Sequence, residues 1–200
     1  RNKLVTDKRL SPKVSIKQVA DYKMNESRAQ ICVALMTDID KPYLVCLNAQ
    51  QKLENKNFIG IYGVRHGFQI KYISAILMSR YFKYMTYSEK GLLMGKLADF
   101  KLPYLTTSEQ EVFVKVYDYL LESANSLDMC DFFSRMIDVM VEQLYLPDEF
   151  EKYNICMIEN VLLLEKLPNN DKRHGILEDI YLKCNKRIAI EKQYICKAIL

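Results

Sequence analysis

The chain has 200 residues, half of them apolar and 27% charged. That length and apolar share suit one large domain or two small ones with a real core, and they exclude a disordered chain. The net charge of +4 is unevenly spread: residues 1–104 hold 18 Lys and Arg against 8 Asp and Glu, a balance of +10, and the rest of the chain balances at −6, a pointer to a polyanionic partner for the front half.

In chain order, KVSIKQV (13–19) sets Val14, Ile16 and Gln18 against Lys13, Ser15 and Lys17. That period of two predicts a half-buried strand. QICVALM (30–36), YLVCLN (43–48) and FIGIYGV (58–64) are short β-rich apolar runs, separated by polar turns such as DIDKP and AQQKLENKN. FQIKYISAILMSRYFKYM then spaces Ile73, Ile76, Leu77 and Tyr81 for a single helix over about 69–84. A cationic loop containing Gly91 and Gly95 is expected to follow it.

From residue 106 the pattern is helical. Ser108 with Glu111 three residues on is read as an N-cap and capping box. The apolar stripe behind it runs through Val112, Phe113, Val116, Tyr117, Leu120 and Leu121. A second stripe holds Phe132, Phe133, Met136, Ile137, Met140, Val141 and Leu144. Methionines and aromatics at this spacing are read as core. Pro147 suits the start of a third helix through DEFEKYNICMIENVLLLEKL, Pro168-Asn169-Asn170 breaks the chain, and a last helix is expected over about 175–198. The expected fold class is therefore α+β: a small mixed sheet with a central helix, then an antiparallel all-helical C-terminal region. The expected division is 1–105 and 106–200.

The longest apolar runs, such as ICVALM and VLLL, fall far short of the ~20 residues a membrane helix needs, and no signal peptide is visible. A soluble, cytoplasmic protein is expected. The chain opens at Arg1 rather than methionine, as a piece of a longer polypeptide would. Six cysteines (32, 46, 130, 156, 184, 196) form no C-x-x-C pair, and His66 and His174 lie far apart. Reduced, largely buried thiols are expected rather than a zinc site. His66 sits between two glycines in GVRHGF, where a solvent-facing turn is expected.

Neither a phosphate-cradling glycine loop nor a G-x-S-x-G elbow is present. Asp38, Asp40, Glu54 and Lys56 supply the residue types of a Mg²⁺-dependent nuclease, but LENKN reads as a turn that would not hold carboxylate and lysine together. The prolines stand at 12, 42, 103, 147 and 168 with no Pro-Pro, so the base-holding motif of an adenine-N6 methyltransferase is missing. No catalytic residue, metal ligand set or cofactor is expected in this chain.

Arg65, Lys71, Arg80, Lys83, Lys90, Lys96 and Lys101 recur with only Glu89 and Asp99 between them, and Tyr81, Tyr84 and Tyr87 interleave. Lys, Arg and Tyr on a shared surface position a phosphate backbone. At these residues the sequence resembles a known family. FIGIY, IKYISAILMSRYFKYMTY and GLLMGKLADFKLPYLTTSEQEVFVKVYDYLL, in that order, are similar to the TaqI-like C-terminal specificity domain of adenine-N6 DNA methyltransferases, a domain that also occurs in fused type II restriction–modification enzymes. In that family a strand leads into a helix, a variable loop, a proline-bearing strand and a helix opening with a Glu-Gln pair. PKVSIKQVA (12–20) resembles its early strand, and FFSRMIDVMVEQLYLPDEFE the tail of longer members; the likeness covers about residues 10 to 170.

The resemblance implies a target-recognition module that docks on double-stranded DNA for a methyltransferase domain upstream in the same polypeptide. That upstream domain would bind S-adenosylmethionine and flip the adenine. The expected contacts are Lys13, Lys17, Gln18, Arg65, Lys71, Arg80, Lys83, Lys90 and Lys96, mostly to phosphates, with Gln18 or Arg80 reaching base edges. Two rival readings stand beside it: the Mg²⁺-dependent nuclease, and a helical docking or dimerisation platform whose basic half serves solubility.

Overall fold

Residues 13–24, 28–34, 43–47, 58–87 and 94–184 are described by the structure, a computed structural model. Four short strands, β2 (Asp21–Met24), β3 (Ile31–Ala34), β4 (Val45–Leu47) and β5 (Phe58–Tyr62), form a sheet in the order β2-β5-β3-β4. A separate pair joins β1 (Lys13–Ser15) to β6 (Lys101–Pro103). Every described pairing is antiparallel, so the expected mixed sheet is not observed. A parallel pair needs a long crossover, and β2 to β5 follow one another without a described helix between them.

The strand expected over 13–19 stops at Ser15. Ile16–Val19 form a one-turn helix, α1, with Ile16 and Val19 both buried and Lys17 and Gln18 exposed. The Gln18 side chain turns back so that its Oε1 accepts from the Ser15 N–H (2.9 Å) and the Ser15 hydroxyl (2.7 Å). Three-residue spacing of Ile16 and Val19 overrides the alternation.

The helix expected over 69–84 is two helices, α2 (Ile70–Met78) and α3 (Arg80–Thr86). Ser79 between them is extended at ψ 151°. Its hydroxyl donates to the Ile76 carbonyl (2.7 Å) and accepts from the Phe82 N–H (3.1 Å), ending one helix and capping the next. Part of the expected cationic loop is also helical: α4 spans Met94–Asp99 and buries Leu97 and Ala98. After β5, Gly63 (φ +63°) brings its backbone against the Asp21 carboxylate, and Gly67 (φ +95°) closes the turn on which His66 is exposed, as expected.

Helix α5 (Thr107–Glu122) is capped two residues earlier than expected. Thr106, not Ser108, is the N-cap: its hydroxyl accepts from the Glu109 N–H (3.3 Å), and the Glu109 carboxylate accepts from the Thr106 N–H (2.8 Å). A 3₁₀ turn (Ser123–Asn125) leads into α6 (Leu127–Tyr145). The expected third helix is split into α7 (Pro147–Lys152), which opens on its proline, and α8 (Met157–Leu162); Asn154 between them has φ +53°. Residues 173–184 are helical, and the remainder of the helix expected to reach 198 lies outside the described residues.

The fold is α+β, with a helical C-terminal region. Helix α2 is its centre, buried continuously from Tyr72 to Leu77 and touching β3 and β4 as well as α5 and α6. Tyr72 stacks edge-on against Phe113 of α5 (5.4 Å between centroids) and donates its hydroxyl to the Pro103 carbonyl (2.8 Å). Buried residues before position 105, such as Ile31, Ile59 and Ile76, and after it, such as Phe113, Val116 and Met140, belong to one continuous core. Of the two stripes, Val112, Phe113, Val116, Phe133, Met136, Ile137, Met140, Val141 and Leu144 are buried, whereas Leu121 is exposed.

Candidate nucleic-acid interface

Eight of the nine expected contact residues fall within the described residues, where they separate into three groups. The first group is spent on carboxylates. Lys71 on α2 pairs with Asp118 of α5 at 2.5 Å. Arg80 pairs through Nε with Asp138 of α6 at 3.3 Å, and its backbone N–H donates to the other oxygen of that carboxylate at 2.8 Å. Lys17 meets Asp99 at 2.8 Å; hydrogen bonding between them holds the Asp99 carboxyl below its ordinary range and raises the Lys17 amine. Two of these three pairs join the basic front of the chain to the acidic helices behind it.

In the second group the side chain is buried or partly engaged within the fold. Lys83 is buried, only 4% exposed, with Nζ 5.1 Å from the centre of the Tyr43 ring. Gln18 is exposed but its amide oxygen is occupied by Ser15. Lys90 lies outside the described residues.

The third group forms no ion pair with a described carboxylate. Arg65 is exposed on the turn after β5, where its backbone N–H donates to the Val19 carbonyl (2.8 Å) and fixes the turn to α1. Lys13 and Lys96 come together, 83 residues apart in sequence, at the rim of a cleft of about 750 Å³. Lys101, which the spacing of cations had noted but not selected, completes the rim. Among the described residues none of these three lysines forms an ion pair.

The cleft is assembled from residues as far apart in the chain as Lys13 and Tyr145. Pairing of β1 with β6 carries Lys13 and Lys101 to one rim, α4 contributes Lys96 and Gly95, and α3 contributes Tyr81, Met85 and Thr86. The wall is aromatic. Tyr81 of α3 stacks on Tyr145, the last residue of α6, with centroids 4.4 Å apart and 25° between planes, and Phe100 lies 5.7 Å from Tyr145. Lys13 Nζ sits 5.4 Å from the centre of the Tyr145 ring. Burial pushes the Tyr145 hydroxyl far above its ordinary range, so it stays neutral and donates to the Lys101 carbonyl at 2.6 Å.

Tyr145 was not singled out in the sequence; it follows Leu144, the last residue of the second stripe. Nothing local marks it as the partner of Tyr81. What the arrangement offers chemically is cation and flat apolar surface side by side, the two features that bind a nucleotide's phosphate and its base.

Asp38, Asp40, Glu54 and Lys56 all lie outside the described residues. Among the described residues no group of three or more His, Cys, Asp or Glu side chains could hold a metal ion, and no helix is long and apolar enough to cross a membrane. No protein-family model, no curated protein and no solved structure matches this chain.

Proposed function

We propose that this chain is a non-catalytic DNA-recognition module, the C-terminal specificity part of an adenine-N6 DNA methyltransferase or type II restriction–modification enzyme. On this reading its partners are double-stranded DNA and a methyltransferase domain upstream in the same polypeptide, working in the cytoplasm, and S-adenosylmethionine belongs to that upstream domain. The observation that carries the reading is the cleft at which Lys13, Lys96 and Lys101, none of them in an ion pair with a described carboxylate, stand beside Tyr81 and Tyr145. The resemblance of residues 10 to 170 to the TaqI-like specificity domain supports it from the sequence side.

The interface on this reading is narrower than the basic half suggested. Its centre is β1, α4 and β6, with Arg65 as a further exposed cation, rather than α2 and α3. The test is equilibrium binding to a pool of random-sequence duplexes across a salt series. Each neutralised phosphate contributes about −0.9 to the slope of log affinity against log salt, so Lys13→Ala/Lys96→Ala/Lys101→Ala is expected to flatten that slope by about 2 to 3. Arg80→Ala is expected to leave the slope unchanged, because its guanidinium already serves Asp138. A triple variant with the parent slope, or no duplex affinity at low salt, would sink the reading.

A further inference from the structure

We infer that the cleft between α3, α4, β6 and the end of α6 takes a single nucleotide standing out of the DNA stack, its base against the aromatic wall and its phosphate among Lys13, Lys96 and Lys101. The inference rests on the DNA-binding reading and adds to it what this site holds.

Backbone positioning alone asks for exposed cations; it has no use for a concave aromatic surface. Here the three lysines line a hollow together with Tyr81, Met85, Phe100 and Tyr145, and the Asp99 carboxylate that also lines it is already paired with Lys17. At about 750 Å³ the hollow is in the range of small-molecule sites. Unstacked bases are held in this manner, on aromatic faces with cations tracking the adjoining phosphates. The wall is also preset. Tyr81 is stacked on Tyr145, and Tyr145 is pinned through its hydroxyl to the Lys101 carbonyl, so the ring beside the phosphate rim does not have to be ordered on binding.

Gly95 provides a clean way to close the site. It lines the cleft from α4, and a Cβ built on it meets nothing within 4 Å. Gly95→Met therefore adds a side chain at the lining of the cleft whose Cβ meets no described atom, and methionine favours the helix more than glycine does.

The experiment measures binding of the full chain to a fully paired duplex and to the same duplex with one bulged nucleotide. Stacking of one base is expected to make the bulged duplex bind about tenfold more tightly. In Gly95→Met the ratio of bulged-duplex to paired-duplex affinity is expected to fall to about one, whatever happens to paired-duplex affinity itself; Tyr81→Leu, which keeps an apolar side chain on α3, is the second variant and is expected to do the same. A third arm titrates free dAMP and follows the Met85 methyl resonance, expected to move in the parent chain and not in Gly95→Met.

Equal affinity for paired and bulged duplexes overturns the inference and leaves the DNA-recognition reading standing. Failure to bind either duplex, with a dAMP-dependent Met85 shift that Gly95→Met removes, overturns that reading and keeps the cleft as a site for a free nucleoside phosphate. No duplex binding and no dAMP shift overturns both.

Discussion

Gln110 is fully buried and has all its amide groups engaged. Its Oε1 accepts from the Gln69 N–H (2.8 Å), and its Nε2 donates to the carbonyls of Gly67 (2.6 Å) and Leu105 (2.8 Å). One side chain on the first turn of α5 thus fixes the start of α2, the turn before it and the exit of β6. Gln110→Met has similar length and leaves one N–H and two carbonyls unpartnered in the interior, each at a cost of about 1–3 kcal/mol when no water replaces the amide. A loss of about 3 kcal/mol is expected, read as a lower urea midpoint with an unchanged slope. A midpoint within experimental error of the parent would show that these bonds are replaced. The Glu-Gln pair at 109–110 was visible in the sequence as a helix opening. Its role was not, because a buried hub and a surface glutamine look alike until burial is known. The same holds for the cations: Lys71, Arg80 and Lys96 are equivalent in the sequence, and among the described residues only the first two find a carboxylate across the fold.

Between α2 and α3 one apolar stripe in the sequence becomes two helices, and the reason lies partly in a third. Asp138 of α6 accepts from the Arg80 N–H at the start of α3 and pairs with its guanidinium, while Ser79 caps the same turn. Burial pushes the Asp138 carboxyl above its ordinary range, against the opposing pull of Arg80, and burial raises Glu142 one turn on, with Asp138 adding to it. A folded carboxyl that holds its proton more tightly than the unfolded one stabilises the fold most at low pH, and that contribution falls as pH rises through the folded value. Asp138→Asn keeps an acceptor for the Arg80 N–H and removes the titration. The melting temperature of Asp138→Asn, relative to the parent, is expected to rise between about pH 3 and 7; a difference independent of pH would refute the assignment. Helix boundaries suffered in the sequence reading for a related reason. The stretch TTSEQE offers two overlapping capping boxes, Thr106 with Glu109 and Ser108 with Glu111, and local pattern does not rank them. The demand that Gln110 and Val112 both be buried selects the first.

Across the whole molecule, the α+β architecture and the central helix were legible because they rest on hydrophobic periodicity. The destination of the charge asymmetry was not, because pairs such as Lys71–Asp118 and Arg80–Asp138 bring together residues 47 and 58 positions apart. Part of the positive excess at the front is therefore answered by the acidic helices rather than left for a partner. The core is likewise shared: Tyr72 packs on Phe113, and Tyr145 reaches Tyr81 and Phe100. A single cooperative thermal transition is expected for the chain, and residues 1–105 alone, deprived of α5 and α6, are expected to show none; a sharp independent melt of that fragment by circular dichroism would contradict this. Helix α6 has one more property. Its nineteen residues make a rod about 28 Å long, with Leu127 in open solvent at one end, 89% exposed, and Tyr145 in the cleft at the other. One element thus runs from an apolar side chain left in water to the ring that lines the hollow.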